Sequence, residues 1–501
     1  MVWIHGGSYT NGAASHYDVT SLTEKGVIVV TTNYRLNYFG FLSTEDDVMP
    51  GNYGMLDLIA ALKWIKKNIK AFGGDPDNVT IFGESAGSGA VSLLTLSPLA
   101  KDLFQRAIMQ SGVSLSIWAI QHSGNRVSAA MMTRLISAQV NCTDFDNSTL
   151  LMACLQSVDA KDLFSAGEKV NKAIGIRGGV GFITPRVETT FGFLPDLPAK
   201  LLASKHFNQV DTLRGFNTDE LGAVLFQNFL GGPGQKRWPI SATIQASLGF
   251  ILRQFTVLDQ QTLSKMIKDI YISNDAPGEI NVIEIVEAMT EVYFTGSIIQ
   301  ELEQVSQKSP DKKHYLYEFS YRPNPDPHPW PTWIEAVHTD EINYIFDIRN
   351  IQLYEKAYNY TPSVEAVQVS QQVMTMWTNF AKTGDPSIID ASIVQPPLPP
   401  SVGTPSAGSS SVGPPSVGPP SVGPPSVGPP SVGPPSVGPP PAPSKGITWP
   451  QYTLNNPSFL QITASPHAKT WLDRDVIRLN QKLLEKLDGA LSTTTDDVII
   501  G

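Results

Sequence analysis

The chain has 501 residues, a formal net charge of −10, 41% hydrophobic and 16% charged residues. That hydrophobic share excludes a wholly disordered chain, and the acidic balance argues against nucleic acid as a partner. There is no run of about 18 apolar residues, so no membrane span is expected, and two cysteines make neither a disulfide scaffold nor a four-ligand zinc site.

The sequence opens Met1-Val2-Trp3-Ile4-His5-Gly6-Gly7. Apolar residues run straight into a glycine turn with no polar lead-in and no signal peptide. This reads as the middle of a buried strand, with Met1 an internal methionine and the preceding strands missing. Residues 27–34 are a continuous β-branched run, as expected of a strand buried on both faces. Residues 56–69 place Leu56, Ile59, Ala60, Leu62, Ile65 and Ile69 at helical spacing. Residues 79–82 form a short apolar strand, 86–96 a helix and 107–109 another strand. Further strands are expected at 212–216, 315–319 and 459–463. A last amphipathic helix runs over 471–487, apolar at Leu472, Val476, Leu479, Leu483 and Leu487, with Gly489 just beyond it. Strands alternating with helices predict an α/β architecture with a mainly parallel sheet covered on both faces.

The strongest chemical signal is Gly83-Glu84-Ser85-Ala86-Gly87. It follows a predicted strand and opens a predicted helix, the setting of a nucleophile elbow. Flanking glycines remove the Cβ clashes that would block so sharp a turn. A serine nucleophile needs a base, the base needs an orienting acid, and the developing oxyanion needs N–H donors. The loop His5-Gly6-Gly7-Ser8-Tyr9 offers small residues after the opening strand. For the base, His328 lies in Pro327-His328-Pro329, expected rigid and exposed, and His338 lies in Ala336-Val337-His338-Thr339-Asp340-Glu341. For the acid, Asp219 and Glu220 both follow the strand end at Asn217, and spacing does not choose between them.

Residues 391–445 hold 19 of the 39 prolines, and residues 411–440 are six copies of Ser-Val-Gly-Pro-Pro. Such a segment has no apolar periodicity with which to build a core. Pro-Pro pairs favour polyproline II, while each glycine breaks its stiffness. It reads as a disordered loop, with an O-glycosylated stalk or a ligand for proline-binding modules as functional alternatives. Asn-x-Ser/Thr triplets stand at Asn78, Asn141, Asn147 and Asn359. Asn78, at the mouth of a core strand, reads as structural.

The segments MVWIHGGSY, NYRLNYFGFLS, GNYGMLDLIAALKWIKKNI, FGGDPDNVTIFGESAGSGAVSLL, AIMQSG, GFNTDE, AVHTDEINYIF, MWTNFAKTGDP and WPQYT resemble the type-B carboxylesterase and cholinesterase family of α/β hydrolases. Within it, SGVSLSIWAIQ at residues 111–121 is similar to the bile-salt-activated lipase branch. The resemblance implies an α/β-hydrolase fold in a single domain over 1–501, with 391–445 as an insertion loop inside it. It also implies a serine esterase working without cofactor or metal. Ser85 would be the nucleophile, His338 the base and Glu220 the acid. The N–H groups of Gly7, Ser8 and Ala86 would form the oxyanion hole, although Ser8 stands where many members carry a third glycine. Trp118 would line the acyl pocket, and Cys142 and Cys154 would form a disulfide, which fits a secreted protein. The expected partner is a small-molecule or lipid ester. The alternatives are a non-catalytic adhesion or interaction protein, since some relatives lack the serine, and an inactive truncated fragment.

Overall fold

The computed structural model describes residues 1–123, 125, 127–174, 183–226, 257–271, 282–350, 361–389, 446–470 and 475–488. The insertion at 391–445, the triplet at Asn359, Trp471, Leu472 and Gly489 lie outside the described residues.

Eight strands form one sheet: β1 (Val2–Ile4), β2 (Val30–Thr32), β3 (Thr80–Glu84), β4 (Arg106–Gln110), β5 (Asp211–Asn217), β6 (His314–Phe319), β7 (Ser458–Ile462) and β8 (His467–Thr470). Their order is β2-β1-β3-β4-β5-β6-β7-β8. All neighbours pair in parallel except β7 and β8. The helices used below are α1 (Tyr53–Asn68), α2 (Ala86–Leu96), α3 (Ala129–Gln139), α4 (Ser148–Ser157), α5 (Gly296–Lys308), α6 (Asp340–Ile345), α7 (Val364–Thr383) and α8 (Asp475–Asp488).

Period-2 alternation divides the inner strands between two cores. Val2, Ile4, Ile81, Ala107 and Met109 join one, packed with Leu58 and Leu62 of α1, Val91 and Leu94 of α2, Ile298 and Leu302 of α5, and Leu479 and Leu483 of α8. Trp3, Phe82, Ile108, Tyr317 and Phe319 join the other, with Tyr344 and Ile345 of α6 and Val373, Trp377 and Phe380 of α7. Helices therefore cover both faces, as an α/β hydrolase requires. Each large apolar side chain fully buried this way contributes about 1.5–3 kcal/mol.

One expectation fails in extent. The run at 27–34 is a strand only over Val30–Thr32, and those residues are half-buried rather than buried on both faces. β2 lies at the edge of the sheet, pairing only with β1. β-branched composition reports extended backbone but does not report which neighbours flank it.

Candidate active site

Ser85 sits at the junction of β3 and α2 with φ 55° and ψ −125°, a conformation rare for a side chain other than glycine. The flanking glycines permit it. A Cβ at Gly83 would come within 2.6 Å of the Ile4 carbonyl oxygen, and one at Gly87 within 2.0 Å of the same atom. Larger residues would push β1 and α2 apart and undo the turn. Ser85 is half-buried while its neighbours on both sides are buried.

The loop after β1 carries positive φ at Gly7 (107°), Ser8 (55°) and Tyr9 (58°) in succession. It lies against the elbow: a Cβ on Gly6 would reach 3.1 Å from the Ser85 Cβ and 2.7 Å from the Glu84 carbonyl oxygen. Ser8, which stands where many family members carry a third glycine, takes the left-handed conformation. Ala86 follows Ser85 as the first residue of α2.

His338 stands in the loop before α6. Its N–H donates to the Glu220 carbonyl at 2.9 Å, and the Asp219 N–H donates to the Ala336 carbonyl at 2.9 Å. Asn217 adds a bond from Nδ2 to the Val337 carbonyl, 2.8 Å. These three bonds bring the end of β5 and the His338 loop together. The imidazole then spans two partners: Nε2 is 2.9 Å from Ser85 Oγ, and Nδ1 is 2.7 Å from Glu220 Oε2. The second oxygen of Glu220 accepts the Asn217 N–H at 2.8 Å. Of the two carboxylates that spacing left open, Glu220 is the one that touches His338. Asp219 instead accepts the Glu335 N–H at 2.6 Å, and burial pushes its carboxyl up to about 6.

Two further carboxylates that the sequence reading missed crowd the same histidine. Glu84 Oε1 lies 3.1 Å from His338 Nε2, and Glu341 is held by Gln110 Nε2 (3.1 Å) and Asn217 Nδ2 (2.7 Å). Glu84, Glu220 and Glu341 are all buried. Burial pushes Glu84 up to about 8 and Glu341 up to about 7, each helped by the neighbouring acids. Burial alone would push the His338 imidazole down, but Glu84 and Glu220 outweigh it and raise it to about 9. The signal was available, since a glutamate inside the apolar stretch Val79-Thr80-Ile81-Phe82-Gly83-Glu84 must find a partner when buried.

Beside Ser85 lies a cavity of about 180 Å³ whose walls include Trp118, Leu221, Val224, Tyr293 and Phe294. The Trp118 Nε1 donates to the Tyr293 carbonyl at 2.9 Å. Tyr293 and Phe294 sit in a π-helical turn, Glu291–Thr295, just before α5. Phe294 also packs on the His338 ring, with centroids 4.8 Å apart. Neither aromatic was picked out from sequence.

His328 departs from expectation. Its imidazole is 4% exposed, not open to solvent. Nδ1 lies 2.7 Å from Asp326 Oδ1, Nε2 lies 3.3 Å from Asp340 Oδ1, and the ring stacks on Trp330. Two acids and an aromatic lid draw it inward. Cys142 and Cys154 are bonded, linking the end of α3 to α4. Asn141 and Asn147 are exposed on that loop, and Asn147 also caps α4 by accepting the Leu150 N–H. Asn78 is exposed and accepts a bond from Arg106. Among the described residues no group of three His, Cys, Asp or Glu is arranged to hold a metal, and no helix is long and apolar enough to cross a membrane.

The sequence profile described as "Carboxylesterase family" matches residues 1–479. Carboxylesterase 1C of Mus musculus is 33% identical over 394 residues, covering 77% of this chain and 65% of that protein. Cocaine esterase of Homo sapiens is 33% identical, covering 77% of this chain and 64% of that protein. Bile salt-activated lipase of Homo sapiens is 34% identical, covering 78% and 51%. The chain therefore spans about two thirds or less of the length of these relatives.

Proposed function

The chain belongs to the carboxylesterase family, and on that premise we propose that it is a serine hydrolase cleaving carboxylic esters through an acyl-enzyme. The observation that carries this reading is the relay of Ser85 Oγ to His338 Nε2 at 2.9 Å and His338 Nδ1 to Glu220 at 2.7 Å. In it, His338 takes the hydroxyl proton as Ser85 attacks the ester carbonyl. Charge collects on the carbonyl oxygen and is held by the N–H groups of Gly7, Ser8 and Ala86, each such donor being worth about 3 kcal/mol of barrier. The alcohol leaves with the proton from His338, and water then cleaves the acyl-enzyme by the same route. Glu220 fixes the imidazole tautomer and stabilises its cationic form.

The substrate is a small-molecule or lipid ester. The Cys142–Cys154 bond supports a secreted location, because such bonds persist in oxidising compartments. We read the whole chain as one hydrolase domain carrying 391–445 as an insertion. Ile388 and Ile447, on either side of that segment, exchange two backbone bonds of 2.8 Å, which supports this reading. Closing a long loop costs little more than closing a short one. Stopped-flow hydrolysis of p-nitrophenyl acetate tests the mechanism. A burst of p-nitrophenol is expected from the protein and none from Ser85→Ala; an unchanged burst in the variant contradicts the assignment.

A further inference from the structure

The loop after β1 keeps two N–H groups out of its own hydrogen bonding. Among the described residues, neither the Gly7 N–H nor the Ser8 N–H meets an acceptor, and Ser8 lines the cavity with Ser85. Such donors serve a developing oxyanion only if they are already aimed when the charge appears. A trans peptide points its carbonyl and its N–H in opposite directions. Whatever grips the Gly6 carbonyl therefore aims the Gly7 N–H, and whatever grips the Gly7 carbonyl aims the Ser8 N–H.

The Gly7 carbonyl is held by the loop itself. It accepts the Thr10 N–H at 2.9 Å, the Asn11 N–H at 3.0 Å and the Thr10 hydroxyl at 3.2 Å. The Gly6 carbonyl is held by a side chain, His5 Nδ1, at 2.9 Å. A carbonyl only accepts, so Nδ1 carries the proton. Burial holds this imidazole below its ordinary value, and Nε2 has no hydrogen-bond partner in the protein, as suits a neutral ring with its one proton on Nδ1. The ring is fixed on both sides of that bond. It is 1% exposed and stacks on Tyr34, with centroids 4.7 Å apart, and Tyr34 Oη donates to the His5 carbonyl at 2.8 Å. A Cβ at Gly12 would come 2.3 Å from His5 Nδ1 and 2.7 Å from the Gly6 oxygen, so glycine at 12 lets the backbone close over the pair.

We infer that His5, braced by Tyr34, is a positioning residue for the oxyanion hole: its imidazole holds the Gly6–Gly7 peptide plane so that the Gly7 N–H stays aimed at the oxygen of an ester attacked by Ser85. This rests on the reading of Ser85 as nucleophile and Gly7 as a donor, and it adds what keeps the donor in place. His5 acts through the peptide plane and not on the ester. With its N–H removed, the plane is held only by glycine backbone, the least restrained in the chain. A donor misplaced by about 1 Å gives up roughly a hundredfold in rate.

The test pairs a ligand that forms an oxyanion with one that does not. A trifluoromethyl ketone, 1,1,1-trifluoroheptan-2-one, adds to a serine as a hemiketal anion, whereas the corresponding alcohol fills the same pocket without adding. Inhibition constants for both, and kcat/KM for p-nitrophenyl butyrate, are measured on the native protein and on three variants. His5→Leu removes the donor at similar size, His5→Asn places an amide N–H near the position of Nδ1, and Tyr34→Phe removes only the brace on the His5 carbonyl. Near-ultraviolet circular dichroism and the urea midpoint establish folding independently of activity. In His5→Leu, kcat/KM and ketone affinity should both fall by roughly a hundredfold while alcohol affinity stays within about threefold. His5→Asn should recover at least about tenfold of that loss, and Tyr34→Phe should weaken the ketone alone by several-fold. A folded His5→Leu protein with native ketone affinity overturns the inference, as do equal losses for ketone and alcohol or an asparagine variant no better than leucine. Should the leucine variant not fold, native ketone affinity in Tyr34→Phe overturns it equally. Ser85→Ala, run alongside, separates the two levels: ketone binding as tight there as in the native protein means that the serine reading itself has failed, and this inference with it.

Discussion

Replacing Glu84 with glutamine removes a carboxylate from beside His338, the proposed base, and leaves its shape. In the native site Glu84 Oε1 is 3.1 Å from His338 Nε2. An ionised carboxylate and an imidazolium at that distance attract by about 5 kcal/mol at an effective dielectric of ~20. Glu84 carries that charge only in part, because burial pushes it up to about 8. A charge neighbour in this range shifts an imidazole by about one to three pH units. The sign follows directly. The carboxylate favours the protonated imidazole, which is inactive as a base, so removing it lets His338 become neutral at lower pH. The acid limb of kcat/KM for p-nitrophenyl acetate, measured from pH 5 to 10.5, should therefore move down by at least about one pH unit in Glu84→Gln. An acid limb that stays in place, or moves up, refutes the electrostatic role given to Glu84.

Other outcomes follow from the same geometry. Glu220→Gln keeps a hydrogen-bonding side chain 2.7 Å from Nδ1 but no longer fixes the productive tautomer, so kcat should fall by about 10³–10⁴-fold with KM little changed, as steady-state kinetics would register. Cys142 and Cys154 are 12 residues apart. Opening a loop of that length by the double alanine variant should cost about 2–3 kcal/mol in urea denaturation, while kcat/KM on a soluble ester is retained because the bond ties α3 to α4, away from Ser85.

Much of the fold was legible because the sequence repeats its message at several levels. Strand runs such as Ile81-Phe82 and Ala107-Ile108-Met109 are apolar on both sides, and that pattern comes from a sheet with helices on each face. The elbow could be read because Gly83 and Gly87 are needed wherever a serine takes φ 55° between strand and helix. The extent of β2 could not, since a β-branched run looks alike at a sheet's edge and in its middle.

The site was legible in part, for a reason of distance along the chain. Ser85 and His338 are 253 residues apart, and the acid beside the base is chosen by contact, not spacing. Asp219 and Glu220 are adjacent in sequence, and only contacts made across the chain, Asn217 Nδ2 to the Val337 carbonyl and the Glu335 N–H to Asp219, leave Glu220 as the one facing His338. Glu341 and Glu84 escaped notice because each reads locally as an ordinary helix-start acid or motif filler. His328 was misjudged because its flanking prolines suggested exposure, whereas Asp326, Asp340 and Trp330 enclose it. Tyr9, Tyr293 and Phe294 converge on the cavity from segments nearly 300 residues apart in number, which no local pattern reports.

The central claim is that Ser85 is the nucleophile. It is tested most directly by treating the protein with a fluorophosphonate and mapping the adduct by mass spectrometry. The tryptic peptide 71–101 contains Ser85. One phosphonyl group per chain on Ser85, with none on folded Ser85→Ala protein, is the predicted result. A folded protein that takes no label, or takes it at another residue, contradicts the account.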